Sequence, residues 1–349
     1  MSTTANQRIV VLDGLRGLAA ISVMLMHDAG AYGETSWFEH AYSAVDMFFL
    51  LSGFVLTLNF ERRFAAGMSA KTFVKLRVKR LWWIVAIGIA LGSAYLMGAV
   101  AAPALIVALC ASLLFIPAPL GTGQVYGLNA PVWSVTCELV ANAFHVLWLR
   151  FMDDRGLIAL CGGFGLLFAL YVVIMGTGDT ESGVDNWPAG LFRIGYSYPL
   201  GVLMGRHWRQ HRVAEWPWWL ALIVPMAAII LIAPWAHNAW VDIPFTLFAM
   251  PAIFWFCAHA SEPSRGAVPA LVWLGAVSYP VYAFNWPLIR LGTALQTGLD
   301  STTVRIAALL ATLGLAYAAA LIEQRQRSAA RAAKSPATSN LEKAFVQRA

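Results

Sequence analysis

Long apolar stretches recur along this chain, and they limit its fold more than any other feature. Several approach the roughly 18–20 residues needed to cross about 30 Å of hydrocarbon. Of all residues 59% are hydrophobic and only 12% charged, whereas a soluble domain carries about 25% charge. A membrane β-barrel would show short alternating segments instead. The expected fold is therefore all-α, a polytopic transmembrane helical bundle. Ten crossings are predicted, at about 9–30, 43–60, 81–117, 131–149, 157–176, 190–207, 217–233, 243–258, 270–290 and 303–322.

Charge sets the orientation. The stretch 61–80 holds Arg62, Arg63, Lys71, Lys75, Arg77, Lys79 and Arg80, which marks a cytoplasmic loop. Arg206, Arg209 and Arg212 mark a second, and the basic tail with Arg325, Arg327, Arg331 and Lys334 a third. The acidic connections with Glu34 and Glu39, and with Asp179, Glu181 and Asp185, fall outside. Both termini are then cytoplasmic. Two apolar pieces lie within 81–117, and two full spans there would invert every later loop. One crossing plus a re-entrant piece within 98–130 is expected, next to a cavity. Residues 323–349 read as a basic cytoplasmic tail, disordered or only loosely helical. The net charge of +6 sits between spans, so it reports topology and anionic membrane lipid rather than nucleic acid. Cys110, Cys137, Cys161 and Cys257 are dispersed and read as buried, reduced thiols. No metal is expected, since His207 and His211, though four apart, have no carboxylate near them in sequence.

Ionisable residues inside spans are the candidates for function. Arg16 and His27 lie eleven positions apart, which at roughly 100° per residue places them within about 20° of one helix face and about 16 Å apart. Asp13 is three residues before Arg16, so the two either form an ion pair or leave the cation free for phosphate. His27 reads as a general base, as a nucleophile that carries the acyl group, or as an interfacial histidine. Asp46 opens the second span, where a carboxylate can orient His27 or cap the helix. Glu138 follows Pro131-Val132-Trp133-Ser134 at an expected depth near that of His27. The run Arg77-Val78-Lys79-Arg80 is either a topological anchor or a phosphate clamp.

Together these segments resemble the acyltransferase-3 family of integral membrane acyltransferases. Leu12-Asp13-Gly14-Leu15-Arg16-Gly17-Leu18 ending at His27 is similar to its opening motif, and Asp46-Met47-Phe48-Phe49-Leu50-Leu51-Ser52-Gly53-Phe54 to its second. Arg77 to Arg80, Trp133-Ser134 with Glu138, and Gly275 to Tyr282 resemble three later elements. Three positions depart from the pattern: Trp83 where the family often has Pro, Cys137 where it has Tyr, and Asn285 where it has a second His.

The resemblance covers roughly residues 9 to 322. It implies a membrane acyltransferase domain over 1–322, in the bacterial inner membrane. The implied reaction moves an acyl group, commonly acetyl, from cytoplasmic acetyl-CoA to a hydroxyl of a carbohydrate or lipid-linked glycan. On this reading His27, Arg16, Asp46, Glu138 and Asp13 are catalytic. Arg77, Arg80, Lys79 and Arg16 bind the donor. Trp133, Ser134, Asn129, Ser52, Tyr279 and Asn285 contact the substrate or its oxyanion. With Asn285 unable to titrate, His27 must act without a second histidine. The competing class is a proton-coupled transporter using Asp13, Arg16, His27 and Glu138, against which stands the lack of inverted-repeat symmetry.

Overall fold

The computed structural model describes residues 8–179, 182–208, 216–296 and 300–346, with side chains as far as 329. Glu181, Arg209, His211 and Arg212, and the side chains of Arg331 and Lys334, lie outside the described residues. The described residues are helical, with isolated bridges and no strand. The first six helices are α1 (Val10–Ala31), α2 (Ala44–Ala65), α3 (Ala70–Leu96), α4 (Ala102–Leu113), α5 (Val132–Leu147) and α6 (Asp154–Met175). The remainder are α7 (Pro188–Trp208), α8 (Leu220–Ile232), α9 (Ala239–Pro244), α10 (Met250–Ala258), α11 (Val268–Leu295) and α12 (Ser301–Val346). A π-helical turn, Phe245–Ala249, joins α9 to α10 between Pro244 and Pro251. Proline supplies no N–H, and that disturbs the regular ladder there.

Six segments among the described residues are long and apolar enough to cross a membrane: Val10–Ala31, Glu39–Ala65, Val132–Phe151, Asp154–Met175, Ala239–Ala258 and Ser301–Ala329. The protein is a multi-pass membrane protein. Lipid gives helices no hydrophobic reason to associate, so close approach depends on small residues. Gly14 and Gly17 supply it between α1 and α11. A Cβ on Gly17 would fall 2.6 Å from Cβ of Leu274, and one on Gly275 would fall 2.5 Å from Cβ of Asp13. Between α2 and α7, Gly53 lies against the Tyr198 carbonyl and Gly201 against that of Leu50.

Two expectations are corrected here, the loop at 61–80 and the burial of Cys110, and the tail takes the helical one of its two readings. The basic stretch 61–80 is mostly helix, because α2 runs to Ala65 and α3 starts at Ala70, capped by the Ser69 side chain on the Thr72 N–H. Its strong helix formers and the cap outweigh loop formation. The tail, read as disordered or loosely helical, continues α12 to Val346, in a run with six Ala and three Arg between 324 and 346, residues that favour helix. Cys110 is exposed, whereas Cys137, Cys161 and Cys257 are buried.

The segment 98–130 contains the irregular piece. The twelve-residue helix α4 is about 18 Å long, well short of a bilayer core. The Trp82 indole N–H of α3 donates to the Leu113 carbonyl at 2.9 Å. Phe115 and Leu120 then take positive φ, as do Gly121 and Gly123. The chain re-enters the bundle through Val125, Tyr126, Leu128 and Asn129, all buried. Tyr126 OH donates to the Phe115 carbonyl at 2.7 Å and ties this segment together.

Candidate active site

A cavity of about 760 Å³ runs between α1, α2, α3, α5, α11 and α12. On α11 it reaches from Pro269 to Tyr282, thirteen residues or about 20 Å of helix. Its mouth carries Arg8 and Arg327, both more than half exposed. Its far end is formed by Val45, Phe48, Ser134 and Tyr282.

Five arginines and three carboxylates line this space. Arg8 Nε meets Asp13 Oδ2 at 2.5 Å, Arg77 Nη2 meets Glu138 Oε1 at 2.6 Å, and Arg327 is paired with Glu323. Arg16 and Arg80 have no ion pair among the described residues. The cavity therefore keeps two guanidinium groups outside its ion pairs, Arg16 on α1 and Arg80 on α3. Of the two readings for Asp13 and Arg16, the ion pair is not formed, because Asp13 is paired with Arg8. Arg77 and Arg80, three apart on α3, share the cavity face, while Lys79 is exposed and lies outside the lining.

Glu138 does not approach His27. Its Oε1 accepts from Arg77 and from Ser52 Oγ, the latter at 2.7 Å. The reason is that α5 starts inside the bundle: Asn129 Nδ2 donates to the Ala283 carbonyl of α11 at 2.9 Å. Glu138 then falls a further two turns in, beside Arg77. Asp46 is also elsewhere. It is fully buried and receives Arg193 Nε at 3.2 Å, Arg193 Nη2 at 2.5 Å and Ser197 Oγ at 3.2 Å. It joins α2 to α7 and has no contact with His27.

The partner of His27 is Asn285. His27 Nδ1 and Asn285 Oδ1 lie 2.6 Å apart. The Asn285 amide is fixed by its other end, since Nδ2 donates to the Val281 carbonyl at 3.0 Å and to the Tyr282 carbonyl at 2.9 Å. Oδ1 can only accept, so Nδ1 of neutral His27 must carry the proton, and Nε2 keeps its lone pair. That is the tautomer a general base requires. The Trp286 ring stands nearly perpendicular to the imidazole with centroids 5.1 Å apart, and the Arg290 guanidinium lies over the indole. Asn285 lies three residues beyond Tyr282, about 4.5 Å along the axis, so His27 sits just past the far end of the cavity.

Tyr282 and Ser134 close that end with hydroxyls 2.7 Å apart. Tyr279 lines the wall and donates to the Leu81 carbonyl at 2.9 Å. Trp133 is buried edge-on to Phe49 and Asn129 is buried against α11, and neither reaches the cavity. Sequence reasoning missed Arg8, Arg327 and Tyr282 as cavity residues. Tyr282, one turn from Tyr279, was open to detection by helical spacing alone. His207 pairs with Asp154 at 2.9 Å, a carboxylate too distant in sequence to be noticed. The expectation of no metal rested on spacing in the same way, yet His40, His237 and Asp242 converge in the fold.

The family model described as an acyltransferase domain, of the acyltransferase-3 type, matches residues 9–321. The chain belongs to that family. A protein of Rhizobium radiobacter described as protein 2 in picA locus is 33% identical over 166 residues, covering 42% of this chain and 86% of its own length. No solved structure matches. The family makes this protein a membrane acyltransferase, and its matched span contains the Arg16, Glu138 and His27 elements.

Proposed function

We propose that the chain is an O-acyltransferase that takes an acyl group, acetyl in the first instance, from cytoplasmic acyl-CoA and gives it to a hydroxyl of a carbohydrate or lipid-linked glycan. The observation that carries this reading is a cavity with two unpaired arginines that ends beneath a histidine held in the basic tautomer. Phosphates of the donor meet Arg80 near the mouth, with Arg8 and Arg327 adding positive field there. The thin acyl-bearing arm passes Arg16 and the Arg77–Glu138 pair. Its thioester comes to rest by Tyr282 and Ser134, whose hydroxyls can turn a proton toward the tetrahedral oxyanion. Nε2 of His27 removes the proton of the acceptor hydroxyl as its oxygen attacks the thioester carbonyl, and Asn285 steadies the imidazolium that forms. Collapse of the tetrahedral intermediate breaks the C–S bond, and the coenzyme A sulfur takes that proton from the imidazolium and leaves as the thiol. Asp46 has no part in the chemistry, and Glu138 acts by holding Arg77.

The same reading includes ten crossings with both termini in the cytoplasm of a bacterial inner membrane. Arg305 near the start of α12 reaches Asp28 at the end of α1, at 2.7 Å, and Glu34 just beyond it. Arg206 at the end of α7 reaches Glu61 near the end of α2. These ties pair helix ends as that topology requires.

The test is coenzyme A release from acetyl-CoA by purified protein, with His27→Ala and Arg16→Ala alongside. Release that needs His27 supports the reading, even as slow hydrolysis without acceptor. Folded wild type that neither binds acetyl-CoA nor releases thiol refutes it and moves proton-coupled transport to first place.

A further inference from the structure

Away from the cavity, three side chains of metal-ligand type converge from distant parts of the chain. His40 lies on the short turn Glu39–Ser43 between α1 and α2, His237 between α8 and α9, and Asp242 within α9. His40 and Asp242 are fully buried, and the His237 side chain is a quarter exposed. His40 Nε2 is 3.7 Å from Asp242 Oδ1, and His237 Nδ1 is 3.8 Å from the same oxygen. The two imidazoles lie 4.3 Å apart and 23° from parallel.

These separations are too long for hydrogen bonds. They are close to the edge of a ligand tetrahedron, about 3.3 Å for metal bonds of about 2.0–2.1 Å. Both ring nitrogens of His40 and Nδ1 of His237 are buried without a hydrogen-bond partner. Buried polar atoms are rarely left so, and three together call for an occupant. The charge agrees. Asp242 accepts from neutral donors, Tyr42 OH on Oδ1 at 2.8 Å and the Gly178 N–H on Oδ2 at 2.7 Å. Water could fill the nitrogen vacancies but would leave the buried carboxylate unmatched. A cation answers the carboxylate and the two nitrogens nearest it, His40 Nε2 and His237 Nδ1.

We propose that His40 Nε2, His237 Nδ1 and Asp242 Oδ1 bind a zinc ion, with its fourth position on the side of the partly exposed His237. Two imidazoles and one carboxylate suit zinc among the available divalent ions. Tyr42 and Gly178 hold the carboxylate from behind, as outer partners of metal ligands do. The ion joins the connections after α1 and α8 to α9, and Asp242 in turn accepts the Gly178 N–H of the connection after α6. The tie extends inward, since the Tyr42 carbonyl receives Arg193 Nη2 at 3.0 Å and Arg193 holds Asp46. None of the three ligands lines the cavity, so the site is separate from the acyl-transfer chemistry.

The experiment uses full-length protein in nanodiscs, stripped with chelator, reloaded with zinc chloride and dialysed. Elemental analysis should find equimolar zinc on wild type, and at least a tenfold loss in Asp242→Asn and His237→Ala. Tyr42→Phe should weaken zinc affinity by about 10- to 100-fold. Zinc should raise the Tm of wild type and leave that of the two ligand variants unchanged. Folded wild type that retains no stoichiometric zinc overturns the proposal. So do ligand variants that retain as much as wild type, or a clear preference for iron(II) or manganese(II) over zinc.

Discussion

Replacing Asn285 by alanine should slow acyl transfer without weakening donor binding. The substitution removes the acceptor that lies 2.6 Å from His27 Nδ1. The Nδ1–H is then left without a partner, at a cost of about 1–3 kcal/mol, which at about 1.4 kcal/mol per decade is roughly 5- to 150-fold in rate. Part of the loss comes from the tautomer, since the proton is free to move to Nε2 and remove the lone pair. Asn285 does not line the cavity, so the donor KM should stay within about twofold while kcat takes the loss. Asn285→Asp should give no rescue, because the Val281 and Tyr282 carbonyls that now receive Nδ2 would face a carboxylate. The assay is steady-state thiol release in nanodiscs, with Tm as a check on folding. Unchanged kcat, or a defect wholly in donor KM, would refute the assignment of the His27 tautomer.

Arg80→Ala and Arg16→Ala should each raise the donor KM by about tenfold or more at low salt, with the Arg80 effect shrinking at high salt because that group lies nearer solvent. Asp46→Asn strands the buried Arg193 and should lower stability by about 3–5 kcal/mol in an unfolding assay, and the double change Asp46→Leu with Arg193→Met should recover much of it. Gly17→Val forces a branched side chain against Leu274 and should cost about 1–3 kcal/mol, read as a fall in Tm together with loss of activity.

The sequence displayed the membrane class openly, because apolar run length is a local property. A cavity was also expected, since a polar group inside a span must face protein or a cavity, but it was placed beside 98–130, and no residue of that stretch lines the space found between α1, α2, α3, α5, α11 and α12. What could not be read was which partner each group meets. Asp46 and Arg193 are 147 positions apart, and only the α2–α7 contact joins them. Glu138 was expected near His27 because position was counted from Pro131, whereas Asn129 just before α5 is already bonded to the Ala283 carbonyl of α11 and Glu138 meets Arg77 and Ser52. Asn285 looked like a lost titrating group. Its value lies in two donated hydrogen bonds that no one-dimensional spacing reveals.

Helix α4 leaves a practical consequence for chemistry on the native protein. Its Cys110 is the one open thiol of four, and it stands beside exposed Ile106 and Val107 on a face turned away from the bundle. A single maleimide probe can therefore be attached without mutating the other cysteines. If that face is bathed in acyl chains, a lipid-soluble quencher will dim the probe and a water-soluble one will not. Helix α4 thus carries a built-in ruler for how deeply the half-length segment sits in the bilayer.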